Sequence, residues 1–402
     1  GPVHINVPFY EPLYETVERL RVDPLQIFPE HKEKVYSEKE LQPYAEIWNK
    51  ARRKIIIVGV LPPNAIQQQF LDKLAGDDSV LVLTETTSNI NHPDFFTRID
   101  TLIGPIERSE DAEEQFMDLQ PEVLLTFGGM IISKKIKSFL RNYQPKHHWH
   151  VDPKKAYNTF FCLNKHFVTA PNAFFNSFLP LVKHTDSKYG PHWKEVKKKR
   201  QERHDIYMKE IPYSDLKAMQ LVVPAVPGNY NVQLGNSATV RYAQLFKWDE
   251  KQRLFCNRGT SGIDGSVSTA VGAAVINDDP TLLICGDLSF IYDSNGLWNN
   301  YIPKNFRIII LNNSGGGIFR ILPGHKNTEN FDTYFETVHD HTAKQISEMY
   351  GFDYAGASSS EEIKQQLKGF FETSEKPKIL EIFTPRKVND EVLLEYFSFM
   401  KS

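Results

Sequence analysis

Short, continuous apolar runs that alternate with helical patterns constrain the fold of this chain most strongly. In residues 54–60, positions 55–58 are all apolar, and the Pro62-Pro63 pair closes the run. A helical pattern through Phe70 and Leu74 follows, and Gly76 ends it. A run that is apolar at consecutive positions suits a strand buried on both faces of a parallel sheet. Strands of this kind alternating with helices predict a parallel α/β fold.

The alternation occurs in two stretches of the chain. In the first, the predicted strands are 54–60, 79–83, 123–127, 148–151 and 166–169. In the second, the predicted strands are 231–234, 254–256, 282–285, 307–311 and 379–382, with helical patterns at 237–246, 266–276, 294–301 and 361–372. We therefore predict an α/β protein with two Rossmann-like, doubly wound parallel-sheet domains.

The predicted boundaries are a connector at 1–44, a middle α/β domain at 45–182, a basic linker at 183–208 and a second α/β domain at 209–402. Residues 10–45 are rich in Pro, Glu and Tyr without a sustained period, which is typical of an extended segment. The linker contains a run, 194–203, with six basic and two acidic residues. This run could be a nucleic-acid or membrane patch, or a solvated helix between domains. The net charge of −3 favours the helix.

Several functional classes have no support in the sequence. No apolar stretch reaches the ~18–20 residues of a membrane span, and no basic excess indicates nucleic acid. The three cysteines, Cys162, Cys256 and Cys285, are far apart, which fits a cytoplasmic protein without disulfides. Neither predicted domain has a GxGxxG after its first strand, and the middle domain is expected to carry no cofactor. The histidines of 147–150 lie on a predicted strand, where neighbours face opposite ways, so we interpret them as structural.

Two apolar strands of the second domain end in polar turns. Gly286 and Asp287 follow the first, and Asn312 and Asn313 follow the second. In a parallel sheet both turns fall at the carboxyl edge, where ligands bind. A carboxylate and an amide oxygen suit Mg²⁺ or Ca²⁺, and the start of a helix after Asp287 would favour an anion such as diphosphate. Without further context the two segments could also be ordinary βα turns.

The spacing of these turns resembles the thiamine-diphosphate signature of the 2-oxo-acid decarboxylase superfamily. In that signature the Asp, the second Asn and a carbonyl two residues later hold the metal that clamps the diphosphate. The resemblance implies Asp287, Asn313 and the Gly315 carbonyl as ligands of Mg²⁺ or Mn²⁺. Leu288 departs from the signature, because many members have Gly there.

Longer blocks resemble one family of this superfamily. They are Phe255-Cys-Asn-Arg-Gly-Thr-Ser-Gly-Ile-Asp-Gly265, residues 286–295, and Leu234-Gly-Asn-Ser237 with Arg241. These blocks are similar to the 2-succinyl-5-enolpyruvyl-6-hydroxy-3-cyclohexene-1-carboxylate (SEPHCHC) synthases of menaquinone biosynthesis. The resemblance implies a transferase that decarboxylates 2-oxoglutarate on thiamine diphosphate and adds the succinyl carbanion to isochorismate. It also implies a homodimer or homotetramer.

The resemblance assigns roles to individual residues. Arg241, Arg258 and Lys134 would bind substrate carboxylates, although a lone cation is often only a surface charge. Ile318, Phe319 and Leu322 would form an apolar wall beside the thiazolium, although this spacing is also that of an ordinary amphipathic helix. The residues assigned to the cofactor are Asn236, Ser237, Ile263, Gly286, Asp287, Leu288, Ser289 and Asn313. Among them, Ile263 would support the bent cofactor or simply pack in the core.

The opening residues 3–9 resemble the end of the first of three domains, so the chain is expected to be a fragment. The glutamate that activates the cofactor belongs to the pyrimidine-binding domain, and no Glu here matches it. We therefore expect this chain alone to be inactive. Two alternatives stay open: another thiamine-diphosphate-dependent decarboxylase or ligase, such as an acetolactate-synthase relative, or a non-catalytic diphosphate- or nucleotide-binding module.

Overall fold

The computed structural model describes residues 4–11, 14–26, 34–321, 328 and 330–401. The chain divides into two compact units, Gly1–Glu33 and Lys34–Ser402. The described residues of the first unit form neither helix nor strand. The second unit contains two sheets, both entirely parallel, so the predicted fold class is confirmed.

The first sheet has five strands in the order β2-β1-β3-β4-β5. Its strands are β1 Lys54–Val58, β2 Val80–Thr84, β3 Val123–Phe127, β4 His147–Val151 and β5 Leu163–Phe167. Its helices are α1 Glu38–Lys50, α2 Gln68–Ala75, α3 Ile99–Ile106, α4 Ala112–Leu119, α5 Lys134–Asn142 and α6 Pro171–Phe178. Side chains alternate across β1, so Ile56 and Val58 join one core cluster while Ile55 and Ile57 join another on the opposite face. This two-sided burial explains the continuous apolar run.

The second sheet has six strands, and a long helix, α7 Tyr189–Glu210, leads to it. Its strands are β6 Asn231–Leu234, β7 Arg253–Cys256, β8 Thr281–Gly286, β9 Arg307–Asn312, β10 Asp353–Ala357 and β11 Lys378–Phe383. Its helices are α8 Asp215–Val222, α9 Ala238–Ala243, α10 Ser266–Ile276, α11 Asp287–Tyr292, α12 Ile318–Ile321, α13 Lys344–Met349, α14 Ser360–Phe370 and α15 Asn389–Phe399. The strand order is β10-β11-β9-β8-β6-β7, so the order reverses between β6 and β8. Open α/β sheets bind ligands at the carboxyl edge of such a reversal.

The expected connector is wrong from Glu38 onward, where α1 begins. Ser37 caps this helix by accepting from the Glu40 backbone, and the Glu40 side chain accepts from the Ser37 backbone in return. Leu41, Ala45 and Trp48 then bury one face of α1 against the first sheet. Pro43 and the mixed composition obscured this helical period in the sequence.

Other boundaries also differ from the prediction. The sequence pattern missed β10, because this edge strand is half-exposed and has no apolar run. The edge strand β5 runs over Leu163–Phe167 rather than 166–169, and only Phe167 in it is buried. The helix expected over 294–301 is a single turn of 3₁₀-helix, Ser294–Leu297. Gly296 there lies so close to Ser268 that a Cβ would come within 2.9 Å of its backbone.

The basic run of residues 194–203 lies within α7, as the helix interpretation predicted. The helix is not solvated all round, however. Trp193, Arg200, His204 and Tyr207 are buried on one face, while Lys198 and Lys199 on the other are exposed. These buried positions recur at intervals of three to seven, which is the spacing of a helix that packs along one side.

Among the described residues, no helix combines the length and the apolar character that crossing a bilayer requires.

Two buried histidines should make the stability of the fold depend on pH. Burial lowers the pKa of His148 to about 3 and that of His204 to about 4. Below pH ~6.5 these histidines are therefore protonated in the unfolded chain but remain neutral in the folded chain. The free energy of unfolding falls as the pH falls. Each histidine contributes a slope of up to about 1.4 kcal/mol per pH unit. Urea unfolding between pH 7 and pH 5 measures this slope.

His204→Gln should reduce the slope while His341→Gln, at an exposed position, should not. An unchanged slope in His204→Gln would contradict the assignment.

Candidate active site

A cavity of about 320 Å³ lies at the carboxyl edge of β6, β8 and β9. It brings together every described residue that the sequence assigned to the site. These are Lys134, Asn236, Ser237, Arg241, Arg258, Ile263, Gly286, Asp287, Leu288, Ser289, Asn313, Gly315, Ile318 and Phe319. Leu322 lies outside the described residues. The cavity thus gathers residues that are up to 185 positions apart in sequence (134 to 319).

Asp287 is the first residue of α11, and its side chain is buried at the carboxyl edge of the sheet. One carboxylate oxygen accepts from the backbone N–H of Leu288 (2.7 Å), and the other accepts from the backbone N–H of Gly315 (3.0 Å). His339 Nε2 lies 3.3 Å from the second oxygen. A hydrogen bond to Asp287 raises the pKa of His339. Asp287 therefore links the turn after β8 to the turn after β9.

Asn313 has its amide orientation set by a buried acid. Its Nδ2 donates to Asp215 Oδ2 (2.8 Å), and Thr384 donates to the other Asp215 oxygen (2.5 Å). Burial raises the pKa of Asp215 to about 6. Since Asp215 takes the amide nitrogen, Asn313 presents its Oδ1, which is buried and has no hydrogen-bond partner among the described residues. A buried acceptor without a partner is costly unless a ligand satisfies it.

The turn after β9 needs glycine at position 315. Its φ is +149°, and a Cβ would lie 2.6 Å from the Glu336 carbonyl oxygen. Ser237, Ser261 and Ser314 also have positive φ values, between +62° and +71°. Non-glycine residues in this region are strained, and such strain concentrates in functional loops.

Asn236 organises the loop that carries Arg258. Its Nδ2 donates to the carbonyls of Asn257 and Gly262, and its Oδ1 accepts from Arg258 Nη1 at 2.9 Å. The amide is therefore engaged within the protein, which favours a role in shaping the loop. Direct binding of the diphosphate by Asn236 stays a prediction.

Two other contacts fix the walls of the cavity. Ser289 donates to the Ile263 carbonyl (2.6 Å), which holds the 257–265 loop against α11. The short helix α12, which carries Ile318 and Phe319, is anchored through Arg320 to the fully buried Glu336. Arg320 Nε donates to Glu336 Oε1 at 2.6 Å.

Three cations line the same cavity. Arg241 lies on α9 and Arg258 follows β7. Lys134 is the first residue of α5, one of the helices that flank the first sheet. The Nε atoms of both arginines are buried without a hydrogen-bond partner among the described residues. Burial lowers the pKa of Arg241. Two guanidinium groups with unsatisfied donors suit ligands that carry carboxylates or phosphates.

Two acids, the buried Glu85 after β2 and the half-buried Asp100 of α3, hold the segment that leads to Lys134. Glu85 accepts from the backbone N–H groups of Ile132 and Ser133 (2.7 Å each), and Asp100 accepts from the Ser133 hydroxyl. Burial raises the pKa of Glu85 to about 7. The segment immediately before Lys134 is therefore held from two sides.

The residues present fit a diphosphate held through a divalent cation. Asp287, Asn313 and the Gly315 carbonyl offer only oxygen, which is the ligand type that Mg²⁺ and Mn²⁺ take. The free, buried Oδ1 of Asn313 is the observation that indicates a ligand. At Gly286 a Cβ would meet nothing within 4 Å, so open space adjoins the backbone there.

Comparisons with known proteins agree with this geometry. The model of the thiamine pyrophosphate enzyme C-terminal TPP-binding domain matches residues 235–382. The model of the middle domain of thiamine pyrophosphate enzymes matches residues 28–211. A SEPHCHC synthase of Christiangramia forsetii is 68% identical over 402 residues, covering 100% of this chain and 70% of the relative.

Two more distant relatives carry the same name. The SEPHCHC synthase of Flavobacterium psychrophilum is 51% identical (99% of this chain, 71% of the relative). That of Porphyromonas gingivalis is 34% identical (100% of this chain, 70% of the relative). The chain belongs to the SEPHCHC synthase family. It is therefore a thiamine-diphosphate-dependent enzyme of the transferase type with a role in menaquinone biosynthesis, and the resemblance seen in the sequence is confirmed.

Sequence reasoning missed several residues around the SEPHCHC synthase cavity. Asp215 and His339 contact the two expected ligand side chains, and Glu85 and Asp100 hold the Lys134 segment. No local motif marks any of them. Only Asp215 had a signal, since Ser214 before it caps α8, but this signal indicates a helix start and not a site.

The loop-shaping role of Asn236 can be tested without any ligand. Asn236→Ala removes two donated hydrogen bonds, the bond accepted from Arg258 and a weak bond accepted from the Cys256 thiol, with the three stronger ones worth about 1 kcal/mol each. We expect a loss of about 2–3 kcal/mol in the free energy of unfolding and faster amide exchange across residues 257–262.

Asn257→Ala is the matched control, because the Asn257 carbonyl that Asn236 binds belongs to the backbone and remains. The control should lose less stability, since the Asn257 side chain is exposed and the two bonds it donates, to the Gly265 carbonyl and Thr269, do not involve Arg258. Equal amide exchange in Asn236→Ala and the unchanged chain would refute the role.

Proposed function

We propose that this cavity binds thiamine diphosphate through Mg²⁺ or Mn²⁺ and that it serves an enzyme that decarboxylates 2-oxoglutarate and transfers the remaining four-carbon unit to isochorismate, a reaction that this chain alone does not catalyse. One observation supports this most directly: a single cavity combines the oxygen donors Asp287 and Asn313 with three cations for carboxylates. A cytoplasmic homodimer or homotetramer belongs to the same proposal, as do the predicted domain boundaries with the start of the middle domain moved to α1.

In this proposal the turns after β8 and β9 hold the metal and the diphosphate. Asp287 and Asn313 supply side-chain oxygens, and Gly315 supplies its carbonyl. Asp215 acts by fixing which atom of the Asn313 amide faces the metal, as outer partners of metal ligands commonly do. Gly286, Leu288 and Ser289, with Asn236 and Ser237, would bind the diphosphate, and Asn236 also shapes the loop that carries Arg258.

The other walls of the cavity would act on the substrates. 2-Oxoglutarate and isochorismate are both dicarboxylates, and Arg241, Arg258 and Lys134 would orient their carboxylates. Ile263, which lines the cavity, would support the bent cofactor. Ile318 and Phe319, together with Leu322, would keep water from the reacting carbon, and a dry environment favours the loss of CO₂. When bound, thiamine diphosphate would supply the carbon nucleophile and the electron sink for the cleavage.

Titration calorimetry of this chain with thiamine diphosphate, with and without Mg²⁺, tests the cofactor assignment. We expect binding that depends on the metal. Asp287→Ala should weaken it at least tenfold, because it removes the only charged ligand of the set. Asp215→Ala should weaken it about tenfold, since the Asn313 amide is then free to rotate.

Asp215→Asn is the matched variant, because an amide can still accept from Asn313 while donating to Thr384, and it should restore most of the affinity. Asp186→Ala, at a fully exposed position outside the cavity, controls for the charge change. Metal-independent binding that is equal in Asp287→Ala and the unchanged chain would refute the metal site.

The carboxylate-binding roles are tested by steady-state kinetics in the longer Christiangramia forsetii relative, with substitutions at the positions that match Arg241 and Arg258. Arg→Met at either position should raise the KM for 2-oxoglutarate about 10- to 100-fold, the equivalent of losing a charged hydrogen bond. The matching substitution at Arg253, which pairs with Asp279 outside the cavity, should leave KM unchanged.

Preference for pyruvate over 2-oxoglutarate in the unsubstituted relative would instead favour another decarboxylase or ligase of the superfamily.

A further inference from the structure

A second cavity, of about 300 Å³, lies at the junction of the two sheets and shares no lining residue with the active-site cavity. We name it the junction cavity. It is enclosed by the segment between β2 and α3, by one face of α7, and by the segment 246–254 before and within β7. Phe95, Phe246 and Trp248, all buried, contribute apolar walls.

The junction cavity concentrates positive charge. Arg98, Lys197 and Lys247 line it, and a smaller space of about 20 Å³ that Arg98 and Lys197 also line reaches Arg200. Arg200 is buried, and its Nε has no hydrogen-bond partner among the described residues. Burial lowers the pKa of Lys197 to about 8, with a further contribution from Arg98.

The polar contacts of these cations are to neutral groups. Arg98 donates to the side-chain oxygen of Gln201, and Lys197 donates to the Pro93 carbonyl (2.6 Å). Neither contact balances a charge. Grouping like charges in a partly buried space is unfavourable in the absence of a counter-charge.

The acids around the junction cavity have other hydrogen-bond or ion-pair partners, although Asp205 and Asp94 still attract Arg98 and Lys197 from a distance. Asp94 pairs with Lys194 at 3.4 Å, and Asp205 accepts from Gln201 Nε2 at 2.7 Å. Glu85 accepts hydrogen bonds from the backbone N–H groups of Ile132 and Ser133, just before Lys134. Glu250 lies on the exposed rim. Within the described part of the chain, no carboxylate forms an ion pair with Arg98 or Lys197, so a bound anion would supply the close counter-charge that these two cations lack.

We propose that the junction cavity is a binding site for a small organic anion, with a phosphate or carboxylate group held by Arg98 and Lys197 and an apolar body against Phe246 and Trp248. The planar guanidinium of Arg98 suits either anionic group. The volume of the cavity fits a small molecule rather than a lone ion. Nothing in this proposal depends on the reaction assigned to the active-site cavity.

The test uses this chain with phenyl phosphate, inorganic phosphate and, as the uncharged comparison, benzyl alcohol. Phenyl phosphate should raise the melting temperature by about 2–6 °C at saturation and slow amide exchange at residues 89–98. Benzyl alcohol should do neither. Protection at 89–98 by inorganic phosphate alone would also support the site, with the anion as the main determinant.

Lys197→Met separates a binding role from a packing role. It should weaken phenyl phosphate binding at least tenfold, yet raise the melting temperature of the ligand-free chain by about 1–3 °C because the repulsion between cations is relieved. If Lys197 only packs, the ligand-free variant should melt lower.

Lys199→Met, two positions along the same helix and exposed, is the matched control and should behave like the unchanged chain. Phosphate bound in the active-site cavity would affect all variants equally. Absence of protection at 89–98, or an equal affinity in Lys197→Met and the unchanged chain, would overturn the proposal.

Discussion

The parallel pairing of β6, β8 and β9 is the constraint on which the site depends. Leu234 pairs with Ile284, and Gly286 pairs with Leu311, so the three strands end at nearly the same level. The turns that follow them are therefore brought together whatever their separation in sequence. The reversal of strand order between β6 and β8 opens a crevice at that edge, and the polar turn residues line it.

Buried carboxylates convert this coarse placement into a defined geometry. Asp215 selects the orientation of the Asn313 amide, Asp287 joins the turns after β8 and β9, and Glu85 fixes the backbone before Lys134. Each is removed from water, and burial raises the pKa of Asp215 and Glu85. The hydrogen bonds they accept offset that cost. The functional side chains are thus positioned by groups that need not touch a ligand themselves.

The sequence was sufficient where local pattern and strand direction decide the outcome. Central strands such as β1, β3 and β9 are apolar at all but one or two positions, and Asp287 and Asn313 were expected to meet because both follow such strands. It was insufficient at the half-exposed edge strands β5 and β10 and for contacts between distant segments. Asp215 is 98 residues from Asn313, and no local spacing signals a pair that tertiary packing alone creates.

Helix α7 shows why a charge run has to be read together with helical periodicity. Composition offered only two interpretations of residues 194–203, an external basic patch or a solvated helix. Positions 197, 200, 201 and 204 recur at helical spacing and fall on the face that meets the sheets, whereas 198 and 199 fall outside. One run of basic residues therefore supplies both solvated charge and the cations of an interior cavity. The face on which a charge lies, more than the number of charges, determines whether it can act on a ligand.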